Sequence, residues 1–271
     1  MDGDDHVEAG DPVLVDLAAH LGAEADRRAG RSAGERSDSL PWRQQPGELD
    51  ALPVIVGIVG SVAVGKSTTA EVLAGLLSVP VEVVATDAFL LPNEQLEPLG
   101  GAMRKGYPES FDWRALDAFL TRARRGGSPL ESPVYSHEVF DVLPGVVRRF
   151  ATPEVLVVEG LNLLQRPPVD GIVAPADHLD LGIYLHASDE LVEHWFVERF
   201  VALTRPPDGE PSAFYAQFAT MADEDLRATA RWVWNQINAP NLAQHVGPSR
   251  ERADLVLHKG PDHRIGHVER R

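Results

Sequence analysis

One eight-residue segment, Gly60-Ser-Val-Ala-Val-Gly-Lys-Ser67, restricts the possible fold of this chain more than any other feature. It follows a β-branched run, Pro53–Val59, and opens a predicted helix from Ser67 to about Leu77. A strand, this turn and a helix together form the phosphate-binding loop pattern. Its glycines let backbone N–H groups surround phosphate oxygens, while Lys66 reaches the outer phosphates and the Ser67 hydroxyl binds Mg²⁺. The alternative, a glycine-rich turn that binds nothing, is disfavoured by this context.

Patterns typical of buried strands recur along the chain and alternate with helical patterns. Short apolar runs lie at Val81–Ala85, Val155–Val158, Leu181–Leu185 and Asp254–His258. Helices are predicted after the capping residues Asp112 and Ser188, and from the Thr220/Asp223 pair to about Ile237. Alternating strands and helices indicate an α/β fold with a mainly parallel central sheet flanked by helices.

The first 50 residues differ in composition from the rest, with 12 acidic side chains against 5 arginines and frequent Gly, Ser and Pro. Only Val13–Leu21 carries a short apolar stripe. Segments with high charge and little apolar periodicity have little surface to bury. We therefore expect residues 1–52 to form an acidic, flexible or loosely docked tail with at most one helix, and residues 53–271 to form the P-loop domain.

Charge and composition exclude several classes of partner. The net charge of −16, from 41 acidic and 25 basic side chains, repels phosphate backbones and anionic lipids, so we expect no nucleic acid and no membrane partner. The apolar stretch Val54–Val64 is shorter than the roughly 20 residues that a membrane-spanning helix needs. The absence of cysteine excludes disulfides, a thiolate nucleophile and cysteine-ligated metal centres.

Two carboxylates stand just beyond predicted strands, Asp87 after the second apolar run and Glu159 after the third. The carboxyl ends of parallel strands border the ligand crevice, so both should lie at the same edge as the phosphate loop. Phosphoryl transfer to an alcohol needs a carboxylate that accepts the hydroxyl proton and a metal that bridges the phosphates. We predict Asp87 as the base and Glu159, with Ser67, in the Mg²⁺ shell; the alternative is that they are turn residues without a chemical role.

Two further segments carry side chains suited to a substrate site. Arg104-Lys-Gly-Tyr-Pro108 is a basic loop that is able to close on phosphates, although an ordinary surface loop explains it equally well. Tyr135-Ser-His137 places a phenol and an imidazole two residues apart, and we predict substrate contacts for them. A histidine considered alone is more often structural.

Eight ordered segments closely resemble the motifs of bacterial type I pantothenate kinases. They are Gly60–Ala70, Thr86–Phe89, Arg104–Asp112, Tyr135–His137, Val158–Asn162, Trp195–Phe200, Ile237–Leu242 and Arg250–Ala253. The match covers about Val54 to Val268. Because other P-loop kinases do not share these motifs together, the resemblance is far more specific than a phosphate loop alone.

The resemblance implies a P-loop kinase fold and phosphorylation of pantothenate to 4′-phosphopantothenate, the first step toward coenzyme A. It further implies ATP with Mg²⁺ as donor, and a cytoplasmic homodimer. Lys66 and Asp87 would be catalytic, and Ser67 and Glu159 would hold the metal. The implied ATP-binding residues are Gly60, Ser61, Val62, Ala63, Val64, Gly65, Lys66, Ser67, Thr68, Lys259 and His263. The implied pantothenate-binding residues are Tyr135, His137, Phe196, Arg199 and Asn238.

The chain departs from the family pattern at four positions. Phe196 and Phe140 stand where the family usually has tyrosine. Glu71 replaces an arginine of the P-loop helix, and Leu203 replaces an aromatic residue. In the family, coenzyme A competes with ATP through that arginine and that aromatic residue, so these two changes predict weak inhibition by coenzyme A.

Two alternative functions stay open at this point. The phenylalanine changes favour a related P-loop kinase that acts on another small alcohol, such as pantetheine, a nucleoside or a sugar phosphate. The other alternative is a nucleotide-binding regulator without turnover. The presence of Asp87 argues against a regulator, because a protein that only binds nucleotide needs no base.

Overall fold

The computed structural model describes residues 10–32, 39–43 and 52–271. A six-stranded sheet forms the centre of the molecule, and its strands are β1 (Val54–Gly60), β2 (Val81–Ala85), β5 (Val155–Gly160), β6 (Leu181–His186), β7 (Leu255–Lys259) and β8 (Ile265–Arg270). The spatial order is β2-β5-β1-β6-β7-β8. All neighbours are parallel except β8, which is antiparallel to β7 at one edge. The predicted mainly parallel sheet is confirmed.

A separate hairpin, β3 (Leu130–Ser136) and β4 (Asp141–Phe150), lies outside this sheet. The α-helices are α1 (Pro12–Arg28), α2 (Lys66–Leu76), α3 (Asn93–Leu96), α4 (Trp113–Arg124), α5 (Pro175–His178), α6 (Asp189–Thr204), α7 (Ala213–Ala216), α8 (Asp223–Val233), α9 (Ala239–Asn241) and α10 (Gly247–Ser249). Short 3₁₀ turns span Thr86–Phe89, Glu97–Leu99, Gly101–Arg104, Pro108–Ser110 and Arg250–Arg252, and π-helical turns span Trp234–Asn238 and Leu242–Val246.

Two of the predicted caps form, and one does not. The Asp112 side chain accepts a hydrogen bond from the Ala115 backbone N–H at 2.9 Å at the start of α4. Ser188 caps α6 in the same way. Helix α8 begins at Asp223 without a side-chain cap, so the predicted capping box is wrong. Helical turns follow α8 without a gap as far as Arg252. The helical segment is therefore longer than the sequence predicts, since the predicted end is at about Ile237.

The sheet separates two apolar layers. One layer packs α1, α2, α6 and α8 against one face of β1, and its fully buried residues include Leu14, Leu73 and Phe200. The other layer packs α4 against the opposite face of the sheet, around Leu116 and Leu156. All residues of β1 are buried. Because successive side chains of a strand point to opposite faces of the sheet, they pack alternately into the first and the second layer.

Helix α1 corrects the expectation that the N-terminal segment buries little. Its side chains Leu14, Leu17, Ala18, Leu21 and Ala25 are all buried in the first layer. Asp11 caps the helix by accepting from the Val13 N–H at 2.9 Å, and it also accepts from the Ile265 N–H at 3.1 Å. The predicted stripe is therefore part of the core. The rest of the proposed tail, residues 1–9, 33–38 and 44–51, lies outside the described residues.

Candidate active site

The phosphate loop joins β1 to α2 in the geometry that the motif requires. Gly65 has φ +88°, a left-handed conformation that glycine adopts without the steric cost of a side chain. Ala63 also lies in the left-handed region, with φ +62°. The Lys66 ammonium donates to the Ser61 carbonyl at 2.8 Å. Burial lowers the pKa of Lys66, and the charges of Glu159 and Asp87 oppose that change. The loop thus presents a lysine ammonium whose charge interacts with two carboxylates.

Ser67 and Glu159 meet as predicted. The Ser67 hydroxyl donates to Glu159 Oε1 at 2.8 Å, and Glu159 is only 7 % exposed at the end of β5. Burial raises the pKa of Glu159, while the charge of Lys66 lowers it. A hydroxyl and a carboxylate are hard oxygen donors that suit Mg²⁺, which proteins often hold through one or two carboxylates and the phosphates of a substrate.

Asp87 lies at the same edge of the sheet as Glu159. It occupies the 3₁₀ turn directly after β2, where Ala85 is in register with Glu159 on β5. The side chain is half-buried. Its charge affects the pKa of Lys66, Lys105 and Tyr135 as well as that of Glu159. The topology therefore brings the predicted base to the same edge as the phosphate loop.

The two cations of the basic loop, Arg104 and Lys105, make different contacts. Lys105 donates to the Phe140 carbonyl, and its ammonium lies 4.4 Å from the Phe140 ring centroid and 5.4 Å from that of Tyr135. Burial lowers its pKa. Arg104 instead pairs with Glu109 and lies 3.7 Å from the centroid of Tyr107. Lys105 therefore belongs to the candidate site. The sequence predicts a basic loop here, but it does not show which of the two cations, Arg104 or Lys105, contacts the aromatic side chains.

An aromatic wall stands beside Asp87. The Tyr135 ring makes edge contacts with His137 at 5.1 Å and with Phe140 at 6.2 Å, measured between ring centroids. Phe140 in turn stacks on Phe214 at 4.5 Å. Burial, followed by the charge of Asp87, raises the pKa of Tyr135, so its hydroxyl keeps its proton at neutral pH.

The remaining predicted acceptor residues are not all at the same place. Arg199 on α6 is exposed, and its charge acts on Lys66 and Glu159, which places it toward the phosphate loop. Asn238 is half-buried at the end of a π-helical turn. Phe196 is only 8 % exposed and packs in the apolar layer, where its ring centroid lies 5.7 Å from that of Trp234.

Lys259 at the end of β7 contacts the phosphate loop, and His263 lies in the turn between β7 and β8. The Lys259 ammonium donates to the Val64 carbonyl at 3.0 Å, and Lys259 is buried. The His263 ring stacks on Trp195 with centroids 4.1 Å apart. The sequence shows Trp195 as one residue of a motif among apolar neighbours on α6, and nothing in this pattern indicates that its ring stacks on His263.

The described part of the chain contains no helix that is long and apolar enough to cross a membrane.

Comparisons with known proteins agree with this geometry. Residues 55–202 match the model of the phosphoribulokinase/uridine kinase family. A pantothenate kinase of Sorangium cellulosum is 44 % identical over 224 residues, which cover 81 % of this chain and 73 % of the relative. A pantothenate kinase of Streptomyces coelicolor is 42 % identical over 248 residues, covering 87 % and 74 %.

Solved structures confirm the P-loop kinase fold. A putative fructose transport system kinase from Silicibacter sp. TM1040 has a TM-score of 0.60 at 24 % identity, covering 89 % of this chain and 94 % of its own. A D-glycerate 3-kinase from Cryptococcus neoformans has a TM-score of 0.62 at 14 % identity, covering 97 % and 100 %. At these identities the likeness shows the fold alone. The identity and coverage of the curated relatives show more: the chain belongs to the pantothenate kinase family.

Proposed function

We propose that this protein transfers the γ-phosphoryl group of ATP to pantothenate and forms 4′-phosphopantothenate, the first step of coenzyme A biosynthesis. The observation that carries the proposal is the convergence of Lys66, Ser67, Asp87 and Glu159 at one sheet edge. Relatives named pantothenate kinase at 44 % and 42 % identity support the choice of acceptor.

The chemistry follows from the charges at this edge. Asp87 accepts the proton of the attacking pantothenate hydroxyl as its oxygen forms a bond to the γ-phosphorus. The bond between that phosphorus and the bridging oxygen breaks, and ADP leaves with the electron pair. Lys66 neutralises charge on the transferring group, and Arg199 acts from the phosphate side.

Donor binding uses the phosphate loop and its neighbours. The residues proposed to bind ATP are Gly60 to Thr68, together with Lys259 and His263. Ser67 and Glu159 would hold Mg²⁺, whose charge offsets that of the phosphates when it is bound. A loss of turnover on removal of Mg²⁺ with EDTA, restored by added MgCl₂, tests this assignment.

Acceptor binding is assigned to the aromatic wall and the side chains around it. Tyr135, His137, Arg199 and Asn238 are proposed to contact pantothenate, the first two supported by their position beside Asp87. Phe196 stays a prediction as a pantothenate contact, since its ring packs among Phe200 and Trp234.

The decisive experiment for the function measures ADP release by the full chain with a panel of alcohols. The panel contains pantothenate, pantetheine, a nucleoside and a sugar phosphate, each with and without Mg²⁺. We expect Mg²⁺-dependent release with pantothenate. Release with another alcohol alone would identify a related kinase of different specificity. No release with any acceptor, together with tight nucleotide binding, would identify a regulator.

A cytoplasmic homodimer is the assembly that the family resemblance implies, and we propose it for this chain. Light scattering coupled to gel filtration measures the mass directly. A mass near twice 29.5 kDa is expected; a monomer over the micromolar range would overturn the homodimer.

Lys105 is predicted to assist transfer as a cation beside Asp87. Lys105→Met should lower kcat about 10- to 100-fold. This factor corresponds to the free energy that a hydrogen bond to a charged group contributes. Since burial lowers the pKa of Lys105, the ammonium loses its proton as pH rises, and the rate should fall on the alkaline side. Lys105→Arg, which stays charged, should extend the alkaline limb to higher pH in a kcat profile. An alkaline limb unchanged in Lys105→Arg would contradict this role.

Coenzyme A is predicted to inhibit this protein weakly. Glu71 is exposed on α2, and Leu203 on α6 is 38 % exposed, so both are accessible to a ligand. A carboxylate repels phosphates, and at an effective dielectric of about 20 a pair of unit charges at 4 Å is worth about 4 kcal/mol before screening. Titration of coenzyme A at sub-saturating ATP measures inhibition, with Glu71→Arg plus Leu203→Phe as the comparison. Tight inhibition of the unmodified protein would show that these positions do not control it.

A further inference from the structure

A cavity of about 360 Å³ lies at the carboxyl end of β6, beside the phosphate loop. Its volume is within the range of small-molecule sites. Four apolar side chains from four different elements line it: Val64, Leu185, Val192 and Leu242. Of these four residues only Val64 belongs to the segment proposed to bind ATP, and the proposed phosphoryl transfer assigns no role to the other three.

Five polar side chains also line this cavity, and they belong to Arg250, Tyr184, His186, Asp189 and Ser61. Burial raises the pKa of Tyr184 to about 12, and the charge of Arg250 opposes that rise. Burial and then the charge of Arg250 lower the pKa of His186. The charge of Arg250 therefore acts on both rings, which line the same cavity.

Arg250 has its charge available to a ligand. Its side chain is half-buried, and among residues 10–32, 39–43 and 52–271 no carboxylate lies within ion-pair distance of it. Over the same residues the Tyr184 hydroxyl has no hydrogen-bond partner. A half-buried arginine without a partner is uncommon, because desolvating a charge costs free energy that a partner normally offsets.

We propose that this cavity binds a small organic monocarboxylate with an apolar body. The guanidinium fork of Arg250 matches a carboxylate in a planar, two-bond geometry. The Tyr184 hydroxyl donates a further hydrogen bond, and the apolar wall takes the hydrocarbon part. Asp189, exposed at the start of α6, also lines the cavity. Its negative charge disfavours a dianion, so a carboxylate is preferred to a phosphate monoester.

Occupancy of the cavity should affect nucleotide binding. Ser61 and Val64 both line the cavity. Their carbonyls accept the hydrogen bonds of the two lysines next to the phosphate site, Lys66 at 2.8 Å and Lys259 at 3.0 Å. A ligand that displaces either residue changes where a lysine ammonium lies. The cavity thus has the position of an effector site for the donor nucleotide.

The test measures binding to the full chain without turnover, so its result is independent of the proposed kinase activity. Butyrate, 3-methylbutyrate and hexanoate are titrated by protein-observed NMR, with butanol and butyl phosphate as the neutral and dianionic comparisons. We expect saturable binding of the carboxylates, stronger with chain length, and weaker binding of both comparisons. Arg250→Gln should weaken carboxylate binding at least tenfold. Ala243→Trp should block it by filling the cavity without changing its charge.

The matched control is Arg252→Gln, on the same short helical turn. Arg252 donates to the Leu164 carbonyl at 3.1 Å and does not line the cavity, so this variant should bind carboxylates normally. The absence of saturable carboxylate binding would overturn the proposal, as would normal binding by folded Arg250→Gln or Ala243→Trp. Carboxylate binding that Lys66→Ala abolishes but Arg250→Gln retains would place the ligand in the phosphate loop, and would equally overturn it.

Discussion

Replacing Asp87 by asparagine will lower kcat for pantothenate phosphorylation about 10²–10⁴-fold, the usual contribution of a positioned general base. The amide keeps the size of the side chain but does not accept the proton of the attacking hydroxyl. Because Asp87 acts on the acceptor, the KM for ATP and the Kd for ADP should stay close to their unmodified values. Steady-state kinetics and a calorimetric ADP titration measure the two quantities separately.

Lys66→Ala provides the contrast. The Lys66 ammonium lies at the phosphate loop, where it donates to the Ser61 carbonyl, and we expect it to contact phosphates in both the ground state and the transition state. Nucleotide affinity should therefore fall together with kcat. If Asp87→Asn kept a near-normal kcat, the assignment of the base would be wrong. If it lost nucleotide affinity as Lys66→Ala does, its role would be in donor binding.

The sequence predicted most of the sheet and its catalytic edge because the signals there are local. Strand β1, the phosphate loop and α2 form one continuous pattern, and Glu159 directly follows a buried apolar run. Parallel topology then brings the strand ends together, so the meeting of Ser67 and Glu159 at 2.8 Å follows from two separate local patterns.

The features that sequence analysis missed depend on contacts between distant segments. Arg104 pairs with Glu109, whereas Lys105 donates to the Phe140 carbonyl in the site. Glu109 and Phe140 lie on different elements, so the sequence does not show which cation enters the site. Strand β8 carries only one buried residue, Ile265, so its pattern does not resemble a core strand. It forms because β7 offers a free edge.

The packing of helix α1 into the core was not predicted, because its charged residues are typical of a solvated surface. In the structure, Arg28 is buried and donates to Asp180 Oδ1 at 2.8 Å, to Glu24 Oε1 at 2.8 Å and to the Pro53 carbonyl at 2.8 Å. Asp180 also accepts from the Ile55 N–H at 2.8 Å. These contacts connect the N-terminal helix to the start of β1, so deletion of residues 1–31 removes part of the core.

Arg28→Met will therefore destabilise the folded protein by about 3 kcal/mol, the lower end of the cost of breaking a buried ion pair, because Asp180 keeps its hydrogen bond from Arg124 at 3.0 Å. The side chains of Arg28 and Asp180 are 1 % and 0 % exposed, so water does not replace the lost contact. We expect the melting temperature to fall by about 10 °C, measured by calorimetry on the full chain. The matched control is Arg27→Met, where Arg27 is 23 % exposed and pairs with the buried Glu24. Because Glu24 keeps its hydrogen bond from Arg28 in this variant, the cost should be about 1 kcal/mol. Equal melting temperatures for the two variants would show that α1 is not part of the cooperative core.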